Sequence, residues 1–294
     1  MLLDKGNKVI LGVTPLTELV LGQAFPQLQK INLPPYEIRY SLVLPIWLKL
    51  VFDLPRLRAV IKKEHQLLNE IVLKNNIDVV VSDNRYGLYH PNTKNIIVCH
   101  QINLITPFFS TFANMIHKKW LSKFSEVWVP DHQNRSKALA GKLSDNKWKL
   151  NCKYIGPLSR LIKLNSEQKY DQLFLLSGPD PQHSDLLNKV LALAKNNHSK
   201  KIAVVTSKKT EAVNGADVFQ LPDNKKLSEL IASSKQINCR SGYSTLMDMH
   251  LLNKKDLVLI PTKGQTEQEY LAEHWKTHFN AIILNEDKLN NCNL

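Results

Sequence analysis

Nine short, mostly apolar runs recur almost from end to end of the chain, at positions 9–13, 77–81, 96–99, 127–129, 173–176, 202–205, 237–239, 257–260 and 281–284. Several are apolar at consecutive positions, without the alternation of a strand that has one wet face. Strands covered on both sides in a parallel sheet read this way. Between the runs lie stretches such as 57–73 and 184–194, whose apolar residues recur at the spacing of one helix face. Strand and helix patterns therefore alternate, which predicts βα repeats and open parallel sheets with helices on both faces.

At 294 residues the chain suits two domains of about 150 residues each. The joint falls between about Ser159 and Lys169, where Gly156-Pro157 and a polar stretch at 165–169 precede a new strand. The expected architecture is α/β: two Rossmann-like, doubly wound domains, residues 1–160 and 161–294, facing a cleft. Ligands of such sheets bind beyond the carboxyl ends of the strands. The first residues, Met1 to Asn7, read as the last turn of a helix closed by Gly6, with a strand to follow. A doubly wound domain normally opens one step earlier, with a strand and a glycine-rich turn.

Composition removes several classes. A 43% hydrophobic content disfavours disorder. The four cysteines are far apart with no CxxC pair, and the N-terminus lacks the pattern of a secretory signal, so a reduced, cytoplasmic protein is expected. The longest apolar stretch, 42–52, is shorter than a membrane span and interrupted by Pro45 and Lys49. With Trp47 and the basic Arg56, Arg58, Lys62 and Lys63 nearby, it suits either the headgroup boundary of an anionic membrane or a buried hairpin or helix with a solvated flank. Location on the inner face of the plasma membrane is the corresponding expectation. A net charge of +13 favours a ligand with negative charge. The paired lysines are scattered rather than striped, so no nucleic-acid partner is expected.

Chemistry concentrates in two places. In Asn238-Cys-Arg-Ser-Gly-Tyr-Ser-Thr-Leu-Met-Asp248 a buried strand ends, Ser241-Gly242 turns, and a helix begins at Tyr243. Free amides at that helix start, with the Ser244 and Thr245 hydroxyls, suit a diphosphate, and Asp248 one turn later suits ribose hydroxyls. A Ser-capped helix with Asp248 answering its dipole explains the same residues. In the second, 261–270, Thr266 caps a helix beginning Glu267-Gln-Glu269, whose first turn points into the same crevice; a capping box is the alternative there. On the N-terminal side, Asp83 and Arg85 follow a buried strand and His100 follows another. Arg85 suits a phosphate, and Asp83 or His100 a general base. An Asp-Asn turn with a paired Arg, and a hydrogen-bonded structural His, are the plainer readings. His274 and His278 have a metal-pair spacing without a third ligand, and no Asp-x-Asp, P-loop or GxSxG motif is present.

Arg240-Ser-Gly followed by Thr245, Asp248, Pro261, Gln268 and Tyr270 resembles the donor-binding region of MurG-like glycosyltransferases, the GT-B enzymes of glycosyltransferase family 28. The segment Ile97-Val-Cys-His-Gln-Ile-Asn103 resembles their acceptor-domain strand. The resemblance implies inverting, metal-independent transfer of a sugar, N-acetylhexosamine in that family, from a UDP donor to a lipid-linked acceptor, with no cofactor. It places Arg240, Ser241, Gly242, Ser244, Thr245, Asp248, Gln268 and Glu269 at the donor, Arg85 and Asn103 on the acceptor side, and His100 or Asp83 as the catalytic base. The family's N-terminal glycine-rich loop has no counterpart here, and residues 177–183 replace its C-domain glycine-rich turn. A nucleotide-sugar 2-epimerase and a non-catalytic homologue are the rival expectations.

Overall fold

The computed structural model describes residues 3–35, 46–106, 110–196, 199–211 and 213–291. In chain order the elements are β1 (Ile10–Val13), α1 (Pro15–Ala24), β2 (Gln29–Asn32), α2 (Ile46–Asn75), β3 (Val79–Asp83), β4 (Lys94–Val98), α3 (Ser110–Leu121), β5 (Glu126–Val129) and β6 (Cys152–Tyr154). The second half adds β7 (Tyr170–Leu175), α4 (Gln182–Asn196), β8 (Ile202–Thr206), β9 (Ala216–Gln220), α5 (Asn224–Ala232), β10 (Ser234–Cys239), α6 (Tyr243–Leu251), β11 (Leu257–Leu259), α7 (Thr266–Phe279) and β12 (Ile282–Ile283). Every ladder between these strands is parallel.

The C-terminal sheet has the order β12-β11-β10-β7-β8-β9. Its chain reverses direction across the sheet between β7 and β10, and in an open α/β sheet such a reversal opens a crevice at the carboxyl ends of the two strands. Leu173, Ile237, Cys239, Leu257 and Leu259 from the strands pack with Leu246, Leu271 and Trp275 from α6 and α7 on one face. Phe174, Val204 and Val258 pack with Leu186 and Val190 of α4 on the other. Both faces are dry, which is why these runs carry no alternation. Leu139, Ala140 and Leu143, from the first half of the sequence, also belong to the α6–α7 core.

In the first half the strands form two sheets, β1-β2 and β3-β4-β5-β6. All nine apolar runs lie in or beside strands, while β2, β6 and β9 were not expected. Residues 1–2 lie outside the described residues, but Leu3–Lys5 forms the helical turn anticipated there, closed by Gly6 at φ +74°.

Two local expectations need correction. Residues 134–143, whose spacing in the sequence predicts a helix, are not an α-helix: they form 3-10 turns at Arg135–Lys137 and Gly141–Ser144. The buried Asp131 carboxylate accepts the Leu139 and Ala140 amides, at 2.7 and 3.1 Å, and so takes the donors a helix would use. Nor does Thr266 cap α7. The N-cap is Gln265 without a side-chain cap, and the Thr266 hydroxyl donates to the Ile105 carbonyl at 2.7 Å. The apolar stretch 42–52 falls partly on residues 41–45, outside the described residues; from Ile46 onward it belongs to α2. No helix among the described residues is long and apolar enough to cross a membrane.

Candidate functional site

The helix start after β10 stands at the crevice between β7 and β10. Gly242 is the N-cap of α6 in extended conformation, and no side chain caps the helix. The first amides of α6 are therefore left for a ligand or water, at the positive end of the helix dipole. A Cβ built on Gly242 would meet nothing within 4 Å, so the approach is open. Ser244 is exposed and Thr245 half-buried beside these amides. Asp248, one turn on, accepts a hydrogen bond from the Ser159 hydroxyl at 2.5 Å. Burial raises its carboxyl above the ordinary value, and the Ser159 hydrogen bond and nearby Arg160 offset part of that rise.

Other expected donor residues are turned to different work. Arg240 is buried, its guanidinium bonded to the Ile260 and Gln182 carbonyls at 3.1 and 3.2 Å and paired with Glu286 at 2.8 Å. It pins the 3-10 turn Glu286–Asn291, which carries Glu286, to the sheet. The buried Ser241 hydroxyl donates to the Gln268 carbonyl at 2.7 Å. The Gln268 side chain accepts from the Thr262 amide at 3.0 Å, and Glu269 accepts from the Gly264 amide at 2.7 Å. Both heads thus shape the loop that leads into α7.

Across the crevice, β3 and β4 place Asp83 and His100 at their carboxyl ends. The His100 ring lies flat against Tyr243, centroids 4.2 Å apart and planes at 11°, and its Nε2 meets Glu267 Oε1 at 2.9 Å. One imidazole from the first half is thereby held by the first turns of both α6 and α7. Against an ionised Glu267, Nε2 must carry the proton, which leaves the Nδ1 lone pair as the ring's acceptor. Burial raises the Asp83 carboxyl, and nearby His100 lowers it in part. Glu267 was read in the sequence only as a first-turn acid, so this pair was missed.

Arg85 and Asn103 do not face the cleft as free groups. Arg85 pairs with the buried Glu64 of α2 at 2.5 Å and donates to the Pro34 carbonyl. Asn103 donates to the Lys142 and Asp145 carbonyls, at 2.9 and 2.7 Å, and so holds the Gly141–Ser144 turn.

The halves meet through backbone acceptors on the 130–142 segment. Tyr243 donates to the Pro130 carbonyl at 2.7 Å, His274 to Ala138 at 2.8 Å and Trp275 to Leu139 at 3.0 Å. The Lys142 amide donates to the Tyr270 hydroxyl at 2.7 Å, and His132 meets His250 at 3.1 Å. Among the described residues no group of three or more His, Cys, Asp or Glu is placed to hold a metal ion.

Two parallel α/β halves with a helix start at the crevice between them define a GT-B-type architecture, and comparison with solved structures establishes that fold. No protein-family model matches this sequence, and no curated protein matches it. The chain is similar to Arabidopsis thaliana UGT89C1, solved with UDP-L-rhamnose, at 14% identity and TM-score 0.60, over 99% of this chain and 82% of that one. It is similar to Acinetobacter baumannii MurG at 12% identity and TM-score 0.54, over 99% and 82%. The spinosyn rhamnosyltransferase SpnG, solved with thymidine diphosphate, matches at 11% identity and TM-score 0.60, over 99% and 84%. At these identities the shared property is the GT-B fold itself.

Proposed function

We propose that this chain transfers a sugar from a UDP-sugar to an acceptor hydroxyl, with inversion and without a metal. The observation that carries the reading is the uncapped N-terminus of α6 in the crevice, faced by a histidine from the other half that is oriented by Glu267. The amides of Tyr243, Ser244 and Thr245 and the last two hydroxyls hold the diphosphate, and Asp248 holds the ribose. Gln268 and Glu269 keep the loop after β11 in place beside the sugar, taken here as an N-acetylhexosamine. Neighbours solved with UDP-L-rhamnose and thymidine diphosphate support a nucleotide-sugar donor.

In the reaction, an acceptor oxygen attacks the anomeric carbon from the side of His100. Its proton passes to Nδ1, the bond from that carbon to the diphosphate breaks, and UDP departs with the electron pair onto the α6 amides. The sugar carbon passes through an oxocarbenium-like state.

Calorimetry with UDP tests the donor half: Asp248→Ala should weaken binding by about 1.5–3 kcal/mol, the loss of one charge-assisted hydrogen-bond partner. Wild-type protein with no affinity for UDP, or a variant with unchanged affinity, would sink the reading. On the acceptor side the proposal is a lipid-linked substrate at an anionic surface, supported by exposed Arg56, Arg58, Lys62 and Lys63 on α2. Reversing the charge of Lys62 and Lys63 should weaken sedimentation with phosphatidylserine vesicles by about 1 kcal/mol per residue; insensitivity to the change removes the membrane from the proposal.

A further inference from the structure

The segment joining the halves, residues 155–164, is fastened along the C-terminal half. The Leu158 amide meets the Met247 sulfur at 3.5 Å, the Ser159 hydroxyl bonds Asp248 at 2.5 Å, and the Ile162 amide donates to the Ser228 hydroxyl at 3.2 Å. Where this joint crosses the ends of α5 and α6 it leaves an open pocket of about 130 Å³, whose walls include Ile162, Lys163, Ser228, Ala232, Asn253 and Lys254. That is below the range of drug-sized sites and suits one small group. The pocket stands at the far end of α6 from Gly242, about 13 Å away along a helix of nine residues at 1.5 Å each. It is no part of the donor crevice.

Two helix C-termini by themselves draw a cation. Here their carbonyls are already answered. Asn253 takes the left-handed conformation at φ +56°, its amide returns to the His250 carbonyl at 3.0 Å, and the Lys254 amide returns to Met249 at 3.0 Å. The Lys254 ammonium donates to the Ala232 and Ser234 carbonyls, at 3.3 and 2.9 Å, which closes α5 and leaves one of its N–H groups unused. Burial lowers this ammonium below its ordinary value, and Asp256 offsets part of that. Lys163 is exposed, and so is Lys225, which precedes Ser228 by one turn on the same face of α5. Neither is paired with a carboxylate among the described residues, and no Asp or Glu lines the pocket. The Lys163 and Lys254 ammonium groups and the Asn253 amide thus line it, a third ammonium stands beside it, and no acid answers them.

We propose that this pocket binds a phosphate group, free or as a monoester, and that the bound group clamps the joint between the halves onto the ends of α5 and α6. A phosphate brings up to two charges and three strong acceptor oxygens. It can take the Lys163 and Lys225 ammonium groups, the last Lys254 N–H and the Asn253 amide together, where a carboxylate offers two oxygens and one charge. The net charge of +13 favours the approach of such an anion. Because the clamp holds Ile162 and Lys163, it acts on the same strip of chain whose Ser159 bonds Asp248.

Amide NMR spectra of the full chain test it, in one titration with sodium phosphate, a second with glycerol 2-phosphate, and a third with sodium chloride at matched ionic strength. Phosphate should give saturating shifts at Ile162, Lys163, Ser228, Asn253 and Lys254, and hydrogen exchange at the Leu161 and Ile162 amides should slow in the saturated protein. Saturation by the inorganic ion alone marks free phosphate as the ligand, and tighter binding of the ester marks an organic phosphate. Lys163→Met with Lys225→Met should weaken binding by at least about tenfold and leave the melting temperature unchanged, since both side chains are exposed. Equal shifts with chloride overturn the proposal, as do shifts confined to the start of α6, unchanged exchange at Leu161 and Ile162, or a double variant that binds as tightly as wild type. A UDP titration reads the donor site separately, through the amides of Tyr243, Ser244 and Thr245. Silence there would remove the donor reading and leave the phosphate pocket standing.

Discussion

His100 has one ring face on Tyr243 and one nitrogen on Glu267, so its orientation is over-determined by two helices that it does not belong to. A base held this way loses little freedom on meeting an acceptor, and the carboxylate stabilises the imidazolium once the proton arrives. Glu267→Gln removes that charge and lets the amide donate to Nε2, which favours the wrong tautomer. The expected outcome is a fall in kcat of about 100-fold or more with UDP affinity retained, read from steady-state kinetics beside calorimetry. A kcat within twofold of wild type would make Glu267 a strut between the halves. The sequence points to His100 because it ends a buried strand, and strand ends meet the cleft. Glu267 escaped notice because its partner is 167 positions away, and a first-turn acid already has a local explanation in the helix dipole. Arg240, Arg85 and Asn103 failed differently. Their types suit ligands, but each head is claimed by nearby carbonyls or carboxylates, and side-chain direction is a tertiary property.

Helix α6 is left open where most helices are closed. Gly242 supplies no oxygen, and Ser241, the residue a local reading would use as a cap, is turned to the Gln268 carbonyl instead. An unfinished helix end costs stability and creates an anion site. Gly242→Asp should exchange one for the other: the position has an extended backbone and open space for a side chain. The variant should gain only about 0.3 kcal/mol of stability by denaturant melt and lose most of its UDP binding, because its carboxylate competes for the same amides. Unchanged UDP affinity in a stabilised variant would move the diphosphate elsewhere. The same local logic explains which elements could be anticipated. Strands dry on both faces announce themselves by composition. β2, β6 and β9 lie at edges and carry polar residues, and the helix expected at 134–143 lost its donors to a carboxylate that had no visible partners along the chain.

Across the molecule the two halves are joined by groups that must stay neutral. Burial, and then His132, hold His250 below the ordinary 6.5. His274 is lowered by burial and by His278, offset in part by its bond to the Ala138 carbonyl. Asp131 pulls both the other way, and Arg135 opposes it at His274. The His132–His250 contact accommodates one proton between two ring nitrogens. For a histidine whose folded value is depressed, the unfolded chain binds more protons below 6.5, so stability present above that pH is lost as pH falls toward the folded value. The melting temperature should therefore fall by several degrees between about pH 7.5 and about pH 5.5, and a His250→Gln, His274→Gln variant should show a flatter profile. A wild-type curve flat over that range would contradict the linkage.

The identity of the interior strands and the alternation of strand with helix were settled by local chemistry, because a strand dry on both faces cannot be polar. What required the folded molecule was the meeting of distant groups. Nothing near Glu267 in the chain announces His100, and nothing near Asp131 announces the amides it takes. Direction and partnership across the cleft are set by how the two halves pack, and a linear pattern holds no record of that packing.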